Sequence, residues 1–361
     1  MFYWLFYEVL YEYFSFLRVF KYITFRAAYS ALFSLIIAFI IIPYFVKILK
    51  QKRITERVKK PYLENHIHKE VTPTMGGISI LFIILLSTIL WARLDNRAII
   101  LILLVVMGFF ILGFIDDYLK IKTEKTSGLL IRYKLLGQIG IGILVGVYLY
   151  LYPLSLNQTV ITFPFTKGVS LDISWFYIIF CIFVVVASSN AVNLTDGLDG
   201  LAIGSLIFVG LGLIIMTYLA GHKELAQYLK IDYVPLSSEL VIFLSSLLGA
   251  SLGFLWFNSH PAQIFMGDCG SLALGGALGT IALIIKQEVA LIIVGGLFVI
   301  EVGSSLIQII FYKMTGKRIF LMSPLHHHFE KKGWTESKIV IRFWIIAIIF
   351  VLLSLSTLKL R

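Results

Sequence analysis

Two adjacent carboxylates, Asp116 and Asp117, close a long apolar run, and further carboxylates stand at Asp196, Asp199 and Asp268 between other apolar runs. Ionised groups beside lipid are costly, so carboxylates gathered where apolar runs end read as a functional site. Neighbouring positions on a helix point about 100° apart, so one of Asp116 and Asp117 can hold a metal while the other faces a second ligand. Asp268 lies between Gly267 and Gly270 and is the leading metal ligand, because hard carboxylate oxygens shared with substrate phosphates suit Mg²⁺. The apolar helix expected to begin at Ser271 would present free N–H groups to phosphate. The chemistry these residues suggest is metal-assisted handling of phosphate.

Asn190, Asn193, Asp196 and Asp199 recur every three residues, which lines up one polar face if a helix runs through them. Gly197 and Gly200 argue for a turn instead, and either geometry yields a polar wall. The likeness of Asp196-Gly197-Leu198-Asp199-Gly200 to a calcium loop is weak, since the full ligand spacing and terminal Glu are missing. His326, His327 and His328 are consecutive, so their imidazoles do not converge easily on one ion; phosphate contact or general acid chemistry suits them better than zinc. Lys69 and the Thr72-Pro73-Thr74-Met75-Gly76-Gly77 segment offer a cation and hydroxyls before a helix that Pro73 keeps from starting early. Glu301 falls midway through an apolar run between Gly295-Gly296 and Gly303, which points to a broken or bundle-facing helix.

The elements that must carry these groups are membrane helices. The chain is 59% hydrophobic and 14% charged with mean hydropathy +0.93, which excludes a soluble enzyme. Apolar runs lie near 24–49, 76–92, 98–115, 134–152, 173–191, 200–220, 239–257, 270–285, 289–312 and 339–358. Several approach the roughly 20 residues that span a bilayer. The expectation is an all-α integral membrane protein of about ten helices, the ninth broken, forming one domain over 1–361. Residues 1–22 interleave Phe, Tyr and Trp with charge, as an interfacial helix does, and lack the pattern of a signal peptide.

Lys and Arg crowd the first, third and ninth loops, which places those loops in the cytoplasm and both termini outside. Arg18, Lys21 and Arg26 run against that trend. The third, fifth, seventh and ninth loops, which carry the polar motifs, then share the cytoplasmic face. The +11 formal charge is spread over membrane loops without a nucleic-acid module, so it reads as topology, attraction to anionic lipid and an anionic substrate. Cys181 and Cys269 imply no disulfide framework.

Five segments together resemble the polyprenyl-phosphate N-acetylhexosamine-1-phosphate transferases: Thr72 to Gly77, Phe114-Ile115-Asp116-Asp117-Tyr118, Asn193 to Gly200, Phe265-Met266-Gly267-Asp268 and Pro324-Leu325-His326-His327-His328-Phe329-Glu330. The last looks like the branch that handles phospho-N-acetylmuramoyl-pentapeptide, and the match runs from about Lys21 to the final helix. The resemblance implies transfer of phospho-MurNAc-pentapeptide from its UDP carrier to undecaprenyl phosphate, forming lipid I and UMP for peptidoglycan. It implies a homodimer in the bacterial cytoplasmic membrane with the site facing the cytoplasm. By the same likeness Asp268 binds Mg²⁺ with Asp117 beside it, Asp116 and Asp117 orient the acceptor phosphate, Asp117 serves as base, and His326 takes part in catalysis. Lys69, Asp196, Asp199 and Phe265 would line the nucleoside site. Thr74, Lys120, Lys134, Asn190, Asn193, Asn258, Gln308 and His327 would hold phosphates or sugar. Direct displacement and a two-step route through an aspartyl phosphate both remain open. A sister transferase of UDP-GlcNAc is the nearest alternative. A transporter should show internal repeats and paired interrupted helices, whereas a single interruption is seen here.

Overall fold

The computed structural model describes residues 1–52, 54–55, 72–123, 128–163 and 170–359. Its helices are α1 (Ile23–Gln51), α2 (Gly77–Trp91), α3 (Arg97–Thr123), α4 (Ile131–Leu151), α5 (Phe176–Thr195), α6 (Leu201–Gly221), α7 (Lys223–Leu229), α8 (Leu240–Asn258), α9 (Asp268–Ile284), α10 (Glu288–Val294), α11 (Gly296–Thr315), α12 (Leu325–Lys331) and α13 (Glu336–Ser356). Every apolar run of the sequence is helical, and the protein is an all-α integral membrane protein. Among the described residues, eight helices are long and apolar enough to cross a bilayer, while α2 and α9 have 15 and 17 residues. The short loop helices α7 and α12 carry no apolar run, so hydropathy does not mark them.

The reason α2 and α9 are short is local. Phe265 N–H donates to Pro73 carbonyl at 2.8 Å, Gly76 N–H to Phe265 at 2.8 Å and Gly77 N–H to Met266 at 2.7 Å. Backbone that would extend each helix instead pairs the two approaches to them, so both helices begin side by side. Every residue of α9 from Cys269 to Ile284 is buried, as expected of a central helix apolar all round. It packs between α3 and α5, so the acidic end of α3 and the amide-rich end of α5 meet its N-terminus.

The ninth run is broken as expected: α10 and α11 meet at Gly295. Lys286, in a left-handed turn just before α10, donates to Glu288 at 2.5 Å and to the Gln158 carbonyl at 3.0 Å, closing a buried polar knot. The aromatic N-terminal stretch is two short helices, Tyr3–Val9 and Ser15–Lys21, instead of one. It folds back so that the Phe2 and Phe20 rings lie 5.0 and 6.0 Å from Trp91 and the Tyr3 ring meets the guanidiniums of Arg26 and Arg93. A two-stranded antiparallel hairpin, β1 (Val160–Thr162) and β2 (Ser170–Asp172), joins α4 to α5 and leaves no trace in the hydropathy pattern.

Candidate active site

Asp268 is the first residue of α9 and the meeting point of three other helices. Lys120 of α3 and Lys134 of α4 reach its Oδ2 at 2.9 and 2.6 Å, and Asn193 of α5 donates to its Oδ1 at 2.7 Å. Asn193 also reaches Ser271 Oγ at 2.8 Å. Lys120 lies 2.8 Å from Asp116 as well, one helical turn away on α3. Asp116 accepts from the Leu129 N–H at 2.7 Å, which fixes its other oxygen. The i,i+4 spacing within α3 therefore supplies both the carboxylate and the ammonium that compensates it.

Asp117 is directed differently from Asp116, as adjacent helical positions require. It accepts from the N–H groups of Asp268 at 3.1 Å and Cys269 at 2.9 Å, capping α9 from a neighbouring helix. The N–H groups of Gly270 and Ser271 donate to Gly267. The expectation of free N–H groups from Ser271 onward is thus corrected: α9 begins at Asp268 and its first four donors are satisfied within the protein. Gly267 has φ +75, and a Cβ there would stand 2.7 Å from Asp117 Oδ2. Gly113 lets α3 come this close, since a Cβ there would collide with the Asp268 carbonyl.

One carboxylate oxygen from each of Asp116, Asp117 and Asp268 lies within 4.8 Å of the others. Three hard anionic donors at that spacing fit a small divalent cation shared with phosphate oxygens. Two lysines among three carboxylates leave the cluster one negative charge in excess, which a cation would offset.

A second cluster forms around Asp199. The helix ends at Thr195, so Asp196 caps α5 and Asp199 turns away from Asn190 and Asn193 instead of extending their face. Asp199 Oδ2 meets His260 Nδ1 at 3.1 Å and the Ala262 N–H at 3.1 Å, and Asp199 N–H donates to Glu336 of α13 at 2.6 Å. Asn258 holds the same turn from α8, accepting from Gly200 N–H at 3.2 Å and donating to the Ile264 carbonyl at 2.8 Å. His260 and Glu336 carry no signal in the sequence; each is one charged or titratable residue among many until the fold brings it to Asp199.

The three histidines diverge. His326 Nδ1 meets Glu301 at 3.0 Å, His327 Nδ1 meets Glu330 at 2.6 Å, and His328 Nδ1 accepts from the Leu321 N–H at 3.0 Å. Gln308 braces the 319–320 backbone through three hydrogen bonds, and Asn190 pairs with Gln138 of α4. Thr74 is buried beside the paired approach to α2, and Phe265 stands half-buried on that approach. Lys69 lies outside the described residues.

Residues 99–286, which hold both the Asp116–Asp117–Asp268 cluster and the Asp199 turn, match glycosyl transferase family 4. Over 99% of its length the chain is 51% identical to a phospho-N-acetylmuramoyl-pentapeptide-transferase of Desulfotalea psychrophila, all of which is covered. It is 48% identical to the protein of that name from Thermodesulfovibrio yellowstonii, over 98% of this chain and 99% of the relative. A third, from Endomicrobium trichonymphae, is 49% identical over 95% and 96%.

Proposed function

Since the chain belongs to glycosyl transferase family 4 and to its phospho-N-acetylmuramoyl-pentapeptide-transferases, we propose that it moves phospho-MurNAc-pentapeptide from UDP-MurNAc-pentapeptide to undecaprenyl phosphate, giving lipid I and UMP. The observation that carries the reading is the convergence of three carboxylates and two lysines on the N-terminus of α9, at the ends of apolar helices. A lipid acceptor reaches such a site along the helices, while its phosphate and the soluble donor stay at the aqueous edge. The crowding of Lys and Arg in the odd loops supports a cytoplasmic site, termini outside, and residence in the bacterial inner membrane. Residues 1–22 would lie at the opposite interface, within a single 1–361 membrane domain that works as a homodimer.

Asp268 and Asp117 would hold Mg²⁺, which supplies charge neutralisation and alignment of the two phosphates. Lys120 and Lys134 steady Asp268 and present positive charge to the donor pyrophosphate. Asp116 holds Lys120 in place. The acceptor phosphate, with a second pKa near 6, is largely dianionic at neutral pH and needs little help from Asp117 as base. Asp196, Asp199 and Phe265, with Lys69, would receive the nucleoside. Thr74, Asn190, Asn193, Asn258, Gln308 and His327 would shape or contact the sugar and phosphate path, and His326 would assist catalysis.

The test is UMP release by the purified protein in detergent, with UDP-MurNAc-pentapeptide, undecaprenyl phosphate and Mg²⁺ each omitted in turn. Release requiring all three supports the reading. Release from UDP-GlcNAc instead would move the protein to a sister activity.

A further inference from the structure

Glu301 is completely buried in α11, a helix apolar enough to span a bilayer. Its partner is His326 at the start of α12, equally buried, with Nδ1 3.0 Å from Glu301 Oε2. A buried carboxylate in a membrane helix is costly and marks a functional position by default, and this one faces a single imidazole. The other ring nitrogen, His326 Nε2, is buried with no hydrogen-bond partner among the described residues. It is aimed at Gly197, where a Cβ would collide with it. That glycine follows Asp196 and lies one turn beyond Asn193, the residue that grips Asp268.

We propose that Glu301 is a positioning residue for the transfer: its carboxylate keeps a proton on Nδ1 of His326 and so directs the unpartnered Nε2 at the Asp196–Gly197 turn. A carboxylate oxygen that accepts from Nδ1 leaves Nε2 as the nitrogen without a hydrogen, an acceptor facing that turn. The neighbouring His327 ring, 4.2 Å away centre to centre, closes one side of the imidazole and limits its rotation. Nothing in the sequence pairs position 301 with position 326; the break at Gly295 and the return of α12 bring them together. The role rests on the transferase reading above.

Three substitutions separate charge from shape. Glu301→Gln keeps the shape and removes the charge, Glu301→Asp keeps the charge on a shorter stem, and Glu301→Met removes both the polarity and the cost of burying it. UMP release is measured for each with both substrates varied, beside wild type and His326→Gln. The expected result is a fall in kcat of about 100-fold or more for Gln and Met, the size of a lost acid–base contribution, with both KM values within about threefold. Glu301→Asp should retain more turnover than Glu301→Gln, and Glu301→Gln combined with His326→Gln should lose no more than His326→Gln alone. A Gln variant as active as wild type, or more active than the Asp variant, would overturn the role and leave the pair as packing. If only the Met variant folds, its kcat decides in the same way, wild-type turnover overturning the role. A folded wild type that releases no UMP from either UDP-sugar would overturn the transferase reading itself, and the positioning role with it.

Discussion

Asp117 and Asp268 are joined through a helix terminus: the Asp117 carboxylate accepts the backbone N–H of Asp268, and that of Cys269, from across the α3–α9 contact. The residue that resemblance marks as base and metal ligand is thus also the cap that fixes where the leading metal ligand stands. Asp117→Ala should abolish turnover and cost about 1–3 kcal/mol of stability, the penalty for leaving buried N–H donors unsatisfied. Asp117→Asn, which keeps an accepting oxygen, should recover part of the thermal stability but none of the turnover. Unfolding temperature in detergent and UMP release, measured on the same samples, check this. Turnover that returns together with stability in the Asn variant would reduce Asp117 to a cap.

Gly267 makes that cap geometrically possible. With φ +75, ψ 174 and Asp117 Oδ2 where a Cβ would press, Gly267→Ala carries about 1–3 kcal/mol of backbone penalty and also pushes the carboxylate away. Turnover should drop more than tenfold while the protein still inserts and purifies. An alanine variant with undiminished UMP release would show that the α9 terminus tolerates the shift.

What the sequence could reveal was set by periodicity and adjacency. Ten apolar runs marked helices α1–α6, α8–α11 and α13, the ninth run holding both α10 and α11, and Asp116, Asp117, Asp268 and Asn193 were visible because carboxylates and amides at the ends of apolar runs must be solvated or paired where lipid offers neither. Lys120 and Lys134 were legible as basic loop residues and, by resemblance, as phosphate or sugar contacts, but their convergence on Asp268 depends on how α3 and α4 pack on α9. Glu336, His260 and Gln138 were not legible, since each acquires meaning from a partner between 52 and 137 residues away. Of the two geometries open for Asn190 to Asp199, the turn that Gly197 and Gly200 argue for is the one formed: α5 stops at Thr195, and Gly200 at φ +77 leads into α6. The glycines mark the turn but do not say that Asp199 then meets His260 and Glu336.

Arg26 contradicted the positive-inside pattern, and the fold supplies the reason. It is not a loop cation: it is 1% exposed and forms a two-pronged pair with Glu239 at 2.8 and 2.6 Å, with Nη1 also on the Trp91 carbonyl. Breaking a buried pair from one side leaves an uncompensated charge and costs about 3–5 kcal/mol. Arg26→Met or Glu239→Leu alone should therefore lower stability sharply, while the double substitution restores most of it. A double-mutant cycle of unfolding temperatures measures the coupling. Additive losses would mean that the two charges act independently.

His328 gives the fold a pH dependence of definite sign. Burial, and then the charge of Lys332, hold its pKa below the ordinary 6.5, and Nδ1 must stay unprotonated to accept the Leu321 N–H. Above pH 6.5 the ring is neutral in both folded and unfolded chains, and the hydrogen bond is intact. As pH falls through 6.5 the unfolded chain takes up its proton first, so stability declines until the folded ring is protonated too. His328→Asn, whose side-chain oxygen can accept the same N–H, should lose that share of the decline. Unfolding temperatures of wild type and variant at about pH 7.5 and about pH 5.5 should then differ by a smaller step in the variant. An equal step in both would place the acid sensitivity of the fold elsewhere than in the 320–328 turn.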